Sequence, residues 1–121
     1  METNGFTISS PDFESRKGTC LGQQGGLIIA IVQDWQTKEV LMQGYMDRVA
    51  WQKTLEIGEA CFWSTTRQVF WHKGAISGNV MKVKEISLDC DKDAVVLQVE
   101  MMGDGVACHT GNRTCFFQKI R

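Results

Sequence analysis

Runs and alternations of apolar residues predict a hairpin in the first half of the chain. Residues 26–34 form a continuous apolar run rich in β-branched side chains, from Leu27 to Val32, which is typical of a buried strand. The polar residues 34–38 follow and predict a turn. Residues 39–45 are again largely apolar and predict the returning strand of the hairpin.

One helix is predicted over residues 48–57. Asp47 is suited to the N-cap, where its carboxylate can accept a hydrogen bond from a free backbone amide of the first turn. Gly58 lies where a helix-ending glycine belongs. We expect the helix to rest on a sheet through its apolar residues, which are Val49, Ala50, Trp51 and Leu55.

The second half of the chain has mainly strand patterns. The predicted strands cover residues 59–66, 79–88, 93–101 and 114–120. The apolar phase changes between Val83 and Ile86, which predicts a bulge, and residues 67–77 show no clean period. Because strands outnumber helices, we predict the α+β class, with a mainly antiparallel β-sheet and one principal helix.

The length of 121 residues predicts a single small domain. Residues 1–25 are polar, rich in glycine, and contain the only proline, Pro11. We interpret them as an N-terminal arm with one short element near Asp12 and Phe13, and residues 26–121 as the folded domain. The sequence leaves the role of the arm, and of its Cys20, open.

Charge and cysteine content narrow the classes of function. The net charge of −1 disfavours nucleic-acid binding, which needs a basic surface. No apolar run approaches the ~20 residues that span a bilayer, and the first residues lack the pattern of a secretory signal. A cytoplasmic protein is therefore expected, in which disulfides are rare. Its five cysteines, an odd number, are then more typical of metal ligands, catalytic groups or core residues.

The acidic segment Asp89-Cys90-Asp91-Lys92-Asp93 carries the clearest chemistry. If its backbone is extended, alternation places the three aspartates on one face and Cys90 on the other. Carboxylates are hard ligands suited to Mg²⁺, whereas a thiolate is a soft ligand suited to Zn²⁺. The same acidic spacing begins a calcium-binding loop, but an alanine stands where that loop needs a glycine, so calcium is disfavoured.

Two further thiols, Cys108 and Cys115, lie in glycine-rich segments downstream. With Cys90 they make three candidate zinc ligands, and a fourth position left to water is the arrangement of catalytic zinc sites. The CxxC pairs of structural zinc sites are absent, so the spacing alone is a weak signal. His109 adjoins one candidate ligand and is the candidate general base, and His72 is the only other histidine.

Basic and small polar residues surround His72 and could hold a phosphorylated ligand. Gly74, Gly78 and their neighbours offer backbone amides that can approach a phosphate closely. The same pattern also fits an ordinary exposed loop. The candidate substrate contacts are Arg67, Trp71, Lys73, Ser77, Asn79 and Arg113.

With these residues identified, the chain resembles the phosphoribosyl-AMP cyclohydrolase family of histidine biosynthesis. The matching segments run in family order from about residue 26 to residue 117. The most specific are Trp71-His72-Lys73-Gly74, Asp89-Cys90-Asp91-Lys92-Asp93 and Cys108-His109-Thr110-Gly111, followed by Cys115.

The resemblance implies a homodimer whose active sites lie at the subunit interface. The implied reaction is attack of a zinc-activated water on C6 of the N1-substituted adenine of phosphoribosyl-AMP, which opens the ring by N1–C6 hydrolysis. His109 and His72 would be the catalytic residues. The implied metal ligands are Asp89, Asp91 and Asp93 for Mg²⁺, and Cys90, Cys108 and Cys115 for a Zn²⁺ ion shared between subunits.

Three positions depart from the family pattern. Thr65 and Asn112 stand where basic residues are common, and Met81 stands where a glutamine is usual. The first two remove positive charge near the candidate phosphate contacts. They predict weaker substrate binding and leave the reaction itself unaffected.

Two other functions are compatible with parts of the pattern. In a non-catalytic zinc-stapled dimeric binding protein, zinc would have four protein ligands and no open position. A nucleobase deaminase is disfavoured because neither histidine is followed two residues later by glutamate, and Pro11 is not near a cysteine pair.

Overall fold

The computed structural model describes residues 2–3, 6–7, 9–14 and 26–121. A two-stranded antiparallel ribbon is formed by β1 (Glu2–Thr3) and β2 (Phe6–Thr7). The main domain contains β3 (Ile28–Asp34), β4 (Val40–Met46), α1 (Arg48–Ile57), β5 (Cys61–Ser64), β6 (Val69–His72), β7 (Met81–Leu88) and β8 (Ala94–Met101). No helix among these residues is both long and apolar enough to cross a membrane.

The six strands of the main domain form one mixed sheet in the order β6-β5-β4-β3-β8-β7. All its pairings are antiparallel except that between β3 and β8, which is parallel. The prediction of an α+β domain with a mainly antiparallel sheet and one helix is therefore confirmed. Because β3 and β8 are parallel, both strands begin at one edge of the domain and end at the opposite edge.

The core lies on the inner side of this curled sheet, where α1 packs against β4, β5 and β6. The largest fully buried side chains include Phe62, Leu27, Ile28, Leu41, Met46, Met81 and Leu97. Removal of these apolar surfaces from water is the main force that holds the sheet and the helix together. Phe13 is also buried in this core, and the amide of Asp12 donates to the carbonyl of Lys92 over 2.6 Å. The short element predicted there is a turn, whereas Cys20 lies outside the described residues.

The helix has the predicted bounds and caps. Asp47 accepts a hydrogen bond from the amide of Ala50 through its side chain, and Gly58 ends the helix with a positive φ of 71°. The predicted apolar face is partly wrong, because the side chains of Val49 and Leu55 are 56% and 50% exposed.

A narrow stripe of α1 faces the sheet instead, formed by Ala50 and Thr54 with Trp51 partly buried beside them. The Thr54 hydroxyl donates to the carbonyl of Ala50 and accepts from the amide of Cys61. These two bonds draw this polar residue against β5, so that the apolar residues on its flanks are turned outward.

Two strand predictions differ from the structure. Strand β6 lies in the segment that showed no period, because three of its four residues are exposed and no buried face alternates with a polar one. No strand occurs over residues 114–120. Isolated hydrogen bonds attach that segment to β4. The Cys115 amide donates to the Leu41 carbonyl, and the Thr114 hydroxyl donates to the Val40 carbonyl. The predicted bulge is confirmed by a register shift between Val83 and Glu85.

Candidate active site

A cleft of about 780 Å³ opens where β6 and β8 end. Its walls are the last residues of β6, the loop 73–79, and the segment after β8 from Asp104 to Gly111. Since β7 is antiparallel to β8, the loop that precedes β7 lies beside the segment that follows β8. Seven of the residues predicted from the sequence line the cleft, namely Trp71, His72, Lys73, Ser77, Asn79, Cys108 and His109.

Two glycines allow the backbone around the cleft to pack closely. Gly74 has a φ of 82°, and a Cβ there would overlap the backbone of Asn79 and Val80. Gly103 has a φ of 65°, and a Cβ there would overlap the Asn79 side-chain oxygen. That oxygen accepts a hydrogen bond of 2.8 Å from the amide of Asp104. Asn79 therefore links the loop 73–79 to the turn after β8.

We expect Gly74→Ala to destabilise the protein more than Gly78→Ala. Both glycines have positive φ values, 82° and 85°, but a Cβ at Gly78 would meet nothing within 4 Å. Backbone strain alone should cost Gly78→Ala about 1–2 kcal/mol of unfolding free energy. Overlap with the backbone should cost Gly74→Ala roughly 1–3 kcal/mol more. Urea unfolding of both variants measures the difference, and equal losses would show that the close approach is unimportant.

Lys73 is the cation inside the cleft. Its ammonium lies 5.3 Å from the centre of the Trp71 ring, and that ring packs at 5.6 Å against the buried Phe62. Burial lowers the pKa of Lys73, while the neighbouring thiols of Cys115 and Cys108 act in the opposite direction. The lysine is thus placed between an aromatic wall and the two thiols.

The two histidines of the cleft differ in their surroundings. His72 Nε2 lies 2.7 Å from Glu59 Oε1, and both side chains are about a quarter exposed. Its ring is therefore fixed by a carboxylate. His109 is exposed on the opposite wall, next to Cys108. Sequence patterns indicated neither Glu59 nor the cleft residue Asp104, because each is brought to the site by the pairing of distant segments.

A reverse turn brings Cys108 and Cys115 together. The amides of Gly111 and Cys108 donate to the carbonyls of Cys108 and Asn112, over 3.0 and 3.1 Å. The pKa of Cys108 is lowered chiefly by a hydrogen bond from the Thr110 hydroxyl, 3.0 Å from its sulfur. Burial, aided by the hydrogen bond with Cys108, raises the pKa of Cys115. Two adjacent thiols, one of them biased toward thiolate, fit a zinc ion.

The three aspartates also lie together, with one carboxylate oxygen of each within 4.8 Å of the others. The extended backbone that we assumed for this segment is wrong. Lys92 has a φ of 66°, its amide donates to the carbonyl of Asp89, and the segment is the turn between β7 and β8. Asp89 gathers the cluster by accepting from the amides of Asp93 and Ala94 over 3.0 and 3.2 Å.

The aspartates repel one another. Hydrogen bonds to Asp93 and Asp89, together with their charges, raise the pKa of Asp91. Burial opposes a lowering of the Asp89 pKa, but hydrogen bonds from Asp91 and from the backbone amides outweigh it. Oxygen ligands crowded in this way fit a hard divalent cation, whose charge would relieve the repulsion.

We expect Asp91→Asn to raise the melting temperature in magnesium-free buffer and to remove stabilisation by Mg²⁺. Since the folded state raises the pKa of Asp91, the wild type loses stability as the pH rises through that pKa. The Asp91→Asn variant has no carboxylate at this position, so it should not lose stability over that pH range. In the wild type, saturating Mg²⁺ should raise the melting temperature by on the order of several degrees. Thermal unfolding with and without Mg²⁺ tests this, with Glu85→Gln on β7 as the control. An unchanged response to Mg²⁺ in Asp91→Asn would argue against the site.

The acidic turn and the thiol pair lie at opposite edges of the domain. The turn precedes β8, and the amide of Ile29 at the start of β3 donates to the carbonyl of Asp93. The thiol segment follows the end of β8. Between the acidic turn and the start of the thiol segment runs β8, a strand of eight residues that is roughly 25 Å long at ~3.3 Å per residue. Cys90 is exposed, and no cysteine joins the aspartate cluster among the described residues.

Arg67 and Arg113 are the predicted contacts that do not line the cleft. Arg67 lies in the turn between β5 and β6, where its backbone amide donates to the Ser64 hydroxyl over 3.2 Å. Arg113 forms ion pairs with Asp34 and Glu39, over 2.8 and 2.7 Å. For both arginines, a contact to phosphate stays a prediction.

Comparison with known proteins gives one consistent result. A family model described as phosphoribosyl-AMP cyclohydrolase matches residues 42–117. A protein of that name from Desulfatibacillum aliphaticivorans is 55% identical over 96 residues, which cover 79% of this chain and 76% of the relative. One from Methanosarcina mazei is 54% identical over 100 residues, which cover 83% of this chain and 82% of the relative. The resemblance seen in the sequence is thereby confirmed, and the chain belongs to the phosphoribosyl-AMP cyclohydrolase family.

Proposed function

We propose that this chain is a phosphoribosyl-AMP cyclohydrolase that opens the adenine ring of its substrate at the N1–C6 bond, a step of L-histidine biosynthesis. The observation that carries the proposal is the convergence of two of the family's most specific segments on one cleft. Residues 71–74 line it together with Cys108, His109 and Gly111, which lie far from them in the chain. Its volume of about 780 Å³ lies within the ~300–1,000 Å³ of small-molecule sites.

The cleft offers separate places for the parts of the substrate. Trp71 presents an aromatic face at the wall, on which a purine can stack, and Lys73 supplies positive charge beside it. Ser77 and Asn79 lie in the glycine-bearing loop, where backbone amides can approach a phosphate. We assign substrate contacts to these four residues.

His109 is the group we assign to proton transfer. It is exposed in the cleft wall beside Cys108, and it can take a proton from the attacking water and return one to N1 as the N1–C6 bond breaks. The Nε2 of His72 is hydrogen-bonded to Glu59, which holds the imidazole ring in one orientation. We assign this ring a contact with the purine in addition to that of Trp71. These assignments follow from position and from the chemistry of imidazole.

Zinc is the proposed cofactor at the thiol pair, and Mg²⁺ at the aspartate cluster. When bound, zinc supplies the Lewis acidity that makes a water molecule acidic near neutral pH. The chain contributes Cys108 and Cys115 to that site through one turn. Asp89, Asp91 and Asp93 would hold Mg²⁺ and orient the substrate or its phosphate.

A homodimer would complete the zinc site. Among the described residues, Cys90, Cys108 and Cys115 do not form one cluster of ligand atoms, so the third thiol would come from a second chain. A second copy that places its acidic turn at the cleft of the first would supply the third thiol beside the first two. The free thiols of Cys61, Cys90, Cys108 and Cys115 are consistent with a cytoplasmic enzyme.

Turnover of phosphoribosyl-AMP by the purified protein, with Mg²⁺ present, tests the proposal. We expect activity that a zinc chelator removes and that added zinc restores. Zinc per chain and molecular mass in solution should be measured on the same sample. A folded, zinc-loaded dimer without turnover would overturn the enzymatic assignment and favour a zinc that only joins two subunits.

A further inference from the structure

Arg113 connects the thiol segment to the hairpin of β3 and β4. Its Nε donates to Glu39 over 2.7 Å, and its Nη2 donates to Asp34 over 2.8 Å. The Asp34 side chain is only 12% exposed, compared with 46% for Arg113. Charge-assisted bonds of this length, one of them to a nearly buried carboxylate, hold a side chain more firmly than a surface ion pair does.

Asp34 is itself a rigid anchor. Its Oδ1 accepts from the amides of Gln36 and Thr37, both over 2.9 Å, while its Oδ2 receives Arg113. The hydrogen bond from Thr37 is the largest influence that keeps the pKa of Asp34 below its usual value, against the opposing effect of burial. Arg113 adds to this lowering, and Asp34 is therefore ionised when it holds the arginine.

The backbone around Arg113 shapes the turn that carries the thiols. The carbonyl of Arg113 accepts from the amide of Ala107 over 3.0 Å, immediately before Cys108. Two residues after Arg113, the amide of Cys115 donates to the carbonyl of Leu41 over 2.8 Å. The arginine thus closes the loop between the two thiols and ties that loop to the sheet.

We infer that Arg113 is a positioning residue for the metal site, and that its pairs with Asp34 and Glu39 hold Cys108 and Cys115 in the geometry that binds zinc. The inference deepens the proposed function and rests on its zinc site. It gives this arginine a role other than a contact to phosphate. Two carboxylates already neutralise the guanidinium, and they would repel an approaching phosphate.

Glu39→Gln separates the two roles, because a carboxylate cannot itself be a phosphate contact. The full-length protein should be loaded with zinc, and the ion should be titrated away with a chromophoric chelator in the absence of substrate. We expect Glu39→Gln and Arg113→Gln each to weaken zinc binding about 10–100-fold, as loss of a group that orients metal ligands does. The double variant should be no weaker than the worse single variant, because both remove one interaction.

Lys53→Gln is the matched control, because Lys53 forms an exposed ion pair of 3.4 Å with Glu56 within α1. It should bind zinc as the wild type does. Hydrogen exchange gives a second readout: the amides of Cys108 and Gly111 should exchange faster in Glu39→Gln, while those of β3 should not. This also distinguishes a loosened loop from a variant that fails to fold.

Unchanged zinc affinity in Glu39→Gln, with a raised KM for phosphoribosyl-AMP in Arg113→Gln, would overturn the inference and assign the arginine to phosphate. The inference would also be overturned if the protein bound zinc equally well after Cys108 was replaced. If the wild type bound zinc through this loop but did not hydrolyse phosphoribosyl-AMP, the proposed function would be wrong. The positioning role of Arg113 would still hold.

Discussion

Cys108→Ala is expected to abolish both zinc binding and turnover. The substitution removes the thiol whose pKa is lowered by the Thr110 hydroxyl, and thus the better of the two thiolate donors in this turn. Without the ion, nothing at this site would lower the pKa of the attacking water toward neutrality. The rate should therefore fall by more than ~10³-fold. Zinc content by atomic absorption and the rate of ring opening, measured on the same preparation, test the expectation.

Cys61→Ala provides the matched control for Cys108→Ala. Cys61 is also a buried free thiol, but it lies on β5 among core residues and outside the cleft. Its loss should cost about 1 kcal/mol of stability and leave zinc and turnover in place. A Cys108→Ala protein that keeps both zinc and activity would contradict the assignment of the thiol pair to the metal.

Local signals in the sequence were sufficient for most elements of the fold. The bounds of α1 follow from Asp47 and Gly58, since a side-chain cap and a left-handed glycine act within a few residues. The bulge in β7 follows from a change in apolar phase. These features depend on nearest neighbours, which a linear pattern contains.

The elements for which the sequence prediction was wrong depend on contacts with segments that are distant in the chain. Strand β6 is an edge strand with three exposed residues, so burial imposes no alternation on it. The tail after Thr114 has strand-like composition, but it meets β4 through a side-chain hydroxyl and one amide. The acidic segment is a turn rather than a strand, because β7 and β8 pair directly on either side of it.

In the candidate site, too, the residues themselves could be predicted from the sequence, whereas their contacts with distant residues could not. Its motifs were visible because cysteine, histidine and aspartate are recognisable by chemistry alone. Their partners were not visible: Glu59 reaches His72 across 13 positions, and Glu39 reaches Arg113 across 74. Resemblance to a family supplied what composition could not, namely the expectation that Cys90 meets the other two thiols across a subunit interface.

His109→Ala is expected to keep zinc and to lose rate. His109 is exposed in the cleft wall and contributes no ligand in the proposed site, so the thiol turn should remain intact. Loss of a general base typically costs ~10²–10⁴-fold in kcat. The rate should fall by that factor while zinc content and KM change little, and the arm of the pH–rate profile that reports the base should disappear.

His72→Ala distinguishes the two histidines of the cleft. The ring of His72 is held by Glu59 at 2.7 Å, whereas His109 is exposed in the cleft wall. We therefore expect His72→Ala to raise KM more than it lowers kcat. We also expect added imidazole to restore part of the rate of His109→Ala but none of the loss in His72→Ala. An unchanged rate in His109→Ala would remove this residue from the mechanism, and imidazole rescue of His72→Ala would assign proton transfer to His72.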